Sequence, residues 1–268
     1  MPPPYDRGVA ADASPVEPAP RAHLPPIWVI SLERAPDRRE SVTRAFDALG
    51  IPFTLFDAVD GRALSTDERR QYSRWRSLFE IGRDMTLGDV GCSMSHLRVY
   101  ERMLAEGIPE LVVVEDDVQP TAALVDILAA RDALPADWQV VTLHSLFASA
   151  APQPLDRPPL TGDYRVCTYG RIPFGTQCYL INRSGARRAL DVGYPVRMPP
   201  DELLYRRRPA DLRVYGIEPS PVVHADFGSE LRTARATDAH GIGRLAEQVV
   251  VTAGKAWARV VKPSRMTR

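Results

Sequence analysis

Apolar residues along this chain follow two alternating rhythms. Short runs rich in β-branched and aromatic residues have the length and composition of strands: Ile27-Trp28-Val29-Ile30, Phe53-Thr54-Leu55-Phe56, Leu111-Val112-Val113-Val114, and residues 138–144, 177–181 and 214–217. The Leu111 run has no polar position and predicts a strand buried on both faces. Between the runs, apolar positions recur at helical spacing. Residues 36–49 place Val42, Phe46 and Leu49 on one face and stop at Gly50. Residues 66–80 read as one helix capped by Thr66. A further helix, capped by Ser93 or Ser95, runs through Leu97, Tyr100, Met103 and Leu104 to Gly107. Residues 124–133 and a Ser184-capped stretch to Leu190 complete the set. This order predicts a single α/β domain opening with a β-loop-α-β unit, the first half of a nucleotide-binding sheet.

The two ends break the pattern. Residues 1–24 are rich in Pro and Ala, show no periodicity and predict a disordered tail. Residues 236–268 form a basic amphipathic segment, with Ile242, Leu245, Val249, Ala253, Trp257 and Val260 at helical spacing among Arg244, Lys255, Arg259, Lys262, Arg265 and Arg268. Such a helix either lies on an anionic membrane surface or docks on the protein's own core. The domain itself then spans residues 25–235. Over 268 residues the 34 basic side chains balance 34 acidic ones, so no global electrostatic case exists for nucleic acid. Cys92, Cys167 and Cys178 form no C-x-x-C pair, which points to a reducing compartment rather than a disulfide framework or zinc knuckle. With no apolar stretch of the ~20 residues a membrane span needs, and no apolar signal core, the expectation is a cytoplasmic protein, peripheral at the inner membrane if the basic helix binds lipid.

The densest chemistry follows the Leu111 run. Glu115, Asp116 and Asp117 stand at its carboxyl end, where ligands gather in α/β sheets. If the chain stays extended, Glu115 and Asp117 point the same way. Their mutual repulsion is relieved by a divalent cation, and hard oxygen ligands suit Mn²⁺ or Mg²⁺; the alternative is a solvated acidic turn. Arg34, Arg38 and Arg39 at a helix entry face a phosphate or only solvent. Gly88 and Gly91 ahead of Ser93, Ser95 and His96 allow close approach of a ligand to a helix start, although His96 also reads as a core histidine. Proline-rich residues 148–162 predict a long binding loop or lid. Asp201 follows Pro199-Pro200 and either caps a helix starting at Glu202 or acts as a base. His224 and Asp226 follow the last strand.

Taken together, these segments resemble glycosyltransferase family 25, the lipooligosaccharide and lipopolysaccharide sugar transferases that are also similar to collagen galactosyltransferases. The matching pieces are Val29-Ile30-Ser31-Leu32 with Arg34 and Asp37-Arg38-Arg39, Ala58-Val59-Asp60-Gly61, and Leu87-Gly88-Asp89-Val90-Gly91-Cys92-Ser93-Met94-Ser95-His96. They continue with Val113 to Asp117, Gly175-Thr176 through Ile181, Gly185-Ala186 and Asp201, over roughly residues 27–230. The family usually has Glu where this chain has Asp89. The resemblance implies a GT-A-like domain with a mostly parallel central sheet flanked by helices. It also implies a UDP-sugar donor, most often UDP-galactose, a glycan or lipid-linked glycan acceptor, and transfer with inversion. It assigns donor binding to Ser31, Leu32, Arg34, Arg38, Asp60, Gly61, Ser95, His96, Asp116, Gly175 and Thr176. Glu115, Asp117 and His224 become ligands of Mn²⁺ or Mg²⁺. Asp201 becomes the general base, with Asp226 as rival, because a base must lie on the far side of the sugar from the metal. Two other functions remain open. One is a non-catalytic nucleotide-sugar or glycan-binding protein of the same fold. The other is a metal-dependent phosphohydrolase, whose usual His and Asp clusters this chain lacks.

Overall fold

The computed structural model describes residues 24–144, 152–170, 173 and 175–225. The tail before residue 24, the basic segment 236–268 and Asp226 lie outside them. The apolar runs become strands β1 (Ile27–Ser31), β2 (Thr54–Asp57), β3 (Glu110–Glu115), β5 (Val140–Thr142), β8 (Cys178–Asn182) and β9 (Val214–Glu218). Two further strands, β6 (Pro152–Pro154) and β7 (Arg165–Tyr169), extend the same sheet, whose order is β2-β1-β3-β8-β5-β9-β7-β6. The pairings make β1, β2, β3, β5, β9 and β6 run one way, with β8 and β7 reversed among them. This is the α/β sheet expected, mixed in its pairings but mostly parallel in its strand directions.

The sheet is buried on both faces because alternate strand residues feed two cores. On one side Trp28, Ile30, Leu111, Val113, Tyr179 and Ile181 pack against α4 (Leu87–Ala105), through Met94, Leu97, Tyr100 and Met103, and against α6 (Arg183–Gly193) and α7 (Pro200–Tyr205). On the other, Val29, Val112, Val114 and Leu180 meet Val42 and Phe46 of α1 (Pro36–Ala48) and Leu124, Ile127 and Leu128 of α5 (Ala123–Ala129). Leu111 to Val114 are each 0% exposed; at about 1.5–3 kcal/mol per fully buried aliphatic side chain, this strand anchors both layers.

The structure departs from the sequence expectation in four places. Residues 66–80 are two helices, α2 (Thr66–Arg70), capped by Ser65, and α3 (Arg74–Glu80). The break arises where the chain hydrogen-bonds Val196 through Gln71 and Ser73, and neither bond fits a continuous helix. The long helix begins at Thr86, not at Ser93 or Ser95. Thr86 Oγ1 accepts from the Asp89 N–H while Asp89 accepts from the Thr86 N–H, a reciprocal cap in which the shorter Asp suffices. The glycines therefore sit inside the helix. Of the proline-rich loop, residues 152–154 are an edge strand, a position that tolerates proline, rather than part of a lid. Finally, Val118-Gln119-Pro120, read as a break, is β4 (Val118–Pro120), paired antiparallel with β10 (Val222–His224) in a separate two-stranded sheet.

Gly61 and Gly91 are where α4 crosses the chain after β2. A Cβ on Gly91 would stand 2.6 Å from the Val59 carbonyl oxygen, and one on Gly61 would stand 1.7 Å from that of Leu87. Backbone, not a flexible side chain, fills both spaces. Gly91→Ala should therefore cost about 1–3 kcal/mol in steric strain, of which helix propensity returns about 1 kcal/mol. Calorimetry should show a melting temperature lowered by several degrees; an unchanged value would show that the crossing gives way.

Candidate active site

Strands β1 and β3 are parallel neighbours, with Ile30 opposite Glu115, so their carboxyl ends open on the same edge of the sheet. A cavity of about 270 Å³ lies there. Its lining gathers Ser31, Leu32, Arg34, Arg38, Asp60, Gly61, Ser95, His96, Glu115, Asp116 and Asp117 from four separate stretches of sequence, together with Thr86, Leu87 and Gly88 at the start of α4 and Cys92 within it. Gly175, Thr176, Asp201 and His224 are not part of this lining, but Thr176 bonds Glu115 from behind it.

The acidic motif does not stay extended. β3 ends at Glu115, and Asp116 and Asp117 form a turn into β4, so all three carboxylates line the cavity. Asp116 is tied down twice: Ser31 Oγ donates to it at 2.5 Å and Arg38 Nη2 lies 3.0 Å away. Burial pushes the Asp116 carboxyl up, against the pull of Ser31 and Arg38. Burial also works against the Glu115 charge, but His96, Thr176 and Arg38 more than offset it and hold its carboxyl below the ordinary range. Thr176 Oγ1 donates to Glu115 Oε1 at 2.7 Å, and His96 Nε2 lies 3.4 Å from the same atom. Asp117 is the destabilised member. Burial, reinforced by the charge of Glu115, pushes it up to about 7, while Arg38 and His224 pull the other way. Its Oδ1 is buried without a hydrogen-bond partner among the described residues. An orphaned carboxylate oxygen beside two more carboxylates fits a hard divalent cation.

His224 reaches this corner through β10, which pairs it with Val118, the residue after Asp117. Its Nδ1 contacts the Ala225 carbonyl oxygen at 2.7 Å, which fixes Nε2 as the ring atom available to a ligand. His144, at the end of β5, lies with its ring 6.4 Å from that of His224, and burial and the His224 charge push it down. Its Nε2 is also buried without a hydrogen-bond partner among the described residues. Sequence reasoning passed over His144, although its position at a strand's carboxyl end was a usable signal. It also passed over Cys92, which stands four residues before His96 and so one turn away on the same helix face.

Several expected residues have structural work. Ser95 Oγ accepts from the Val59 N–H at 2.8 Å and donates to the Gly91 carbonyl at 2.7 Å, pinning α4 to the Asp60 segment. Asp60 accepts from the Arg62 N–H and pairs with Arg34 at 2.8 Å, and these contacts hold its carboxyl below the usual range. Asp201 lies inside the first turn of α7, which starts at Pro200 with Pro199 as cap residue. Its Oδ1 accepts from the Glu202 N–H at 2.9 Å and its Oδ2 from the Gly175 N–H at 3.3 Å. Gly175 has φ +86°, the left-handed region that favours glycine. Asp201 thus joins α7 to the turn that carries Thr176.

The α/β sheet thus presents an acidic turn and a helix start to one cleft at its carboxyl edge, the place where ligands gather in such sheets. Residues 24–146 match the model of glycosyltransferase family 25 (LPS biosynthesis protein). It is 40% identical over 100 residues to a glycosyltransferase 25 family member of Aedes aegypti, covering 35% of this chain and 16% of that protein. It is 29% identical over 189 residues to the probable inactive glycosyltransferase 25 family member 3 of Bos taurus, 66% of this chain and 31% of the relative. Against procollagen galactosyltransferase 2 of Mus musculus it is 25% identical over 221 residues, 72% and 34%. The chain thus spans at most about a third of the length of these relatives. No helix among the described residues is long and apolar enough to cross a membrane.

The raised Asp117 carboxyl has a thermodynamic consequence. The folded protein keeps this proton up to about pH 7, while the ordinary value, taken for the unfolded chain, is 3.8. The native state therefore binds more protons between these values, and this group's contribution to stability falls as pH rises through that window. Asp117→Asn removes the penalty. In a metal-chelating buffer the variant should melt like the wild type near pH 4 and higher than it above pH 7, by on the order of a few kcal/mol in stability. A difference that does not change with pH would mean that Asp117 is ionised without cost.

Proposed function

We propose that the chain is a metal-dependent glycosyltransferase that moves a hexose, galactose first, from a UDP-sugar to a glycan or lipid-linked glycan acceptor, with inversion. The observation that carries this reading is the buried, unpartnered Asp117 oxygen in an acidic turn that faces the cleft beneath the start of α4. Asp117, Glu115 and His224 would hold Mn²⁺ or Mg²⁺. When bound, the cation supplies Lewis-acid stabilisation of the departing diphosphate. Asp116, fixed by Ser31, orients the ribose or sugar. Arg38, which lies 3.0 Å from Asp116 and 3.5 Å from Asp117, would pair with the donor diphosphate. Asp201 is the base: it takes the acceptor proton as the acceptor oxygen forms its bond to the anomeric carbon and the bond to UDP breaks. Its backbone N–H partners, Glu202 and Gly175, fix the orientation of its carboxylate. We place the reaction in the cytoplasm, at the inner membrane face if the basic segment 236–268 binds anionic lipid.

The Arg38 bridge also favours a second reading, a non-catalytic nucleotide-sugar or glycan-binding protein whose carboxylates are satisfied by arginine instead of metal. One experiment separates the two: a donor panel of UDP-galactose, UDP-glucose and UDP-N-acetylglucosamine, with Mn²⁺, Mg²⁺ or chelator, scored for UDP release and glycoside product. The enzyme reading expects metal-dependent product that Asp117→Asn abolishes. Asp201→Asn should bind donor and melt as the wild type does but transfer about 10²–10⁴-fold more slowly. Donor binding without product under every condition would leave the binding-protein reading, and an active Asp201→Asn variant would remove Asp201 from the chemistry.

A further inference from the structure

We propose that Cys92, His96 and Glu115 form a second cation site in the same cleft, selective for a soft divalent ion such as Zn²⁺, and that its occupancy withdraws Glu115 from the acidic turn. Among the described residues these three bring their ligand atoms within 4.8 Å of one another. Cys92 and His96 are one turn apart on α4, and Glu115 faces them from the end of β3. His96 is 1% exposed, and its Nε2 is buried, points towards Glu115 and makes no hydrogen bond among the described residues.

The spacing matches a tetrahedral ion. With Zn–N and Zn–O bonds of about 2.0–2.2 Å, two ligands of a tetrahedron stand about 3.4 Å apart. His96 Nε2 and Glu115 Oε1 are 3.4 Å apart, too long for a good hydrogen bond and right for one edge of that tetrahedron. The remaining imidazole atom is already fixed: Nδ1 lies 2.7 Å from the Tyr179 hydroxyl, which in turn lies 2.6 Å from that of Tyr100. Thr176 Oγ1 anchors the carboxylate from outside. Both are the outer-shell supports that orient metal ligands. The thiolate and imidazole together favour Zn²⁺ strongly over Mn²⁺, whereas the Asp117-His224 corner, with no thiolate, discriminates between the two far less. Coordination releases the Cys92 proton to solvent and leaves the fourth position open to the cavity that Cys92, His96 and Glu115 line.

The test uses the full chain, stripped of metal, with Co²⁺ as a spectroscopic stand-in. Co²⁺ should give a thiolate-to-cobalt charge-transfer band in the near ultraviolet, displaced by one equivalent of Zn²⁺. Cys92→Ser should lose the band, and Asp117→Asn should keep it. X-ray absorption on the wild-type zinc protein, which needs no variant, should show a single sulfur at about 2.3 Å. No thiolate band, a band that survives Cys92→Ser, or a zinc shell without sulfur would overturn the site. A further arm rests on the transferase reading. Zn²⁺ should inhibit Mn²⁺-supported UDP release, and Cys92→Ser should weaken that inhibition by more than the roughly 10–100-fold that losing an outer-shell partner costs. Equal inhibition of both proteins would overturn the competition, while absence of any transfer would count against the transferase reading and leave the spectroscopic result standing.

Discussion

The cleft depends on the parallel pairing of β1 with β3. It brings two strand ends to one level, so that Ser31 Oγ closes on Asp116 across the sheet. That bond fixes the middle carboxylate of an acidic turn and, through Arg38, the charge around it. Everything else is positioned against this pair: β2 beside β1 carries the chain to Asp60, and α4 packs over both strands and delivers Thr86, Cys92 and His96. Because Leu111 to Val114 are buried on both faces, the turn that follows has a rigid base. Binding groups held on strand ends in this way need little reorganisation when a ligand arrives.

The cleft is electrostatically frustrated. Three consecutive carboxylates meet two arginines, Arg34 and Arg38, and two histidines, and the compensation is uneven. Glu115 is well served by Thr176 and His96, Asp116 by Ser31 and Arg38, while at Asp117 burial and the repulsion of Glu115 outweigh the pull of Arg38 and His224. Stable cores avoid such imbalance; sites that await a charged ligand retain it. Arg38 acts as an internal counter-ion, close enough to two of the carboxylates to keep the turn folded without cation.

Most of the frame was legible from the sequence because its signals are local. Apolar runs gave the strands, and the carboxyl end of the Leu111 run located the acidic turn. The rest rests on long-range contacts. The break between α2 and α3 comes from a bridge to Val196, which residues 66–80 do not announce. The glycine-rich segment reads as a loop, since nothing local says that Gly61 and Gly91 must let two backbones touch. Ser95 reads as a cap or ligand contact, yet its hydroxyl is spent on Val59 and Gly91. Three residues before Val118, the sequence says strand; that Val118-Gln119-Pro120 is also one follows only from its distant partner β10.

That two-stranded sheet sets the order in which the site can be completed. Val118 lies near the middle of the domain's sequence and His224 near its end, and β5, β8 and β9 are laid down between them. Closing so long a loop is costly in chain entropy and gains little until the intervening sheet exists to hold the ends together. The corner that joins Asp117 to His224 therefore forms late, after the strands it rests on. A cation that binds there would report that the strands laid down between Asp117 and His224 are in place, since a chain that stops short of β10 lacks half of the corner.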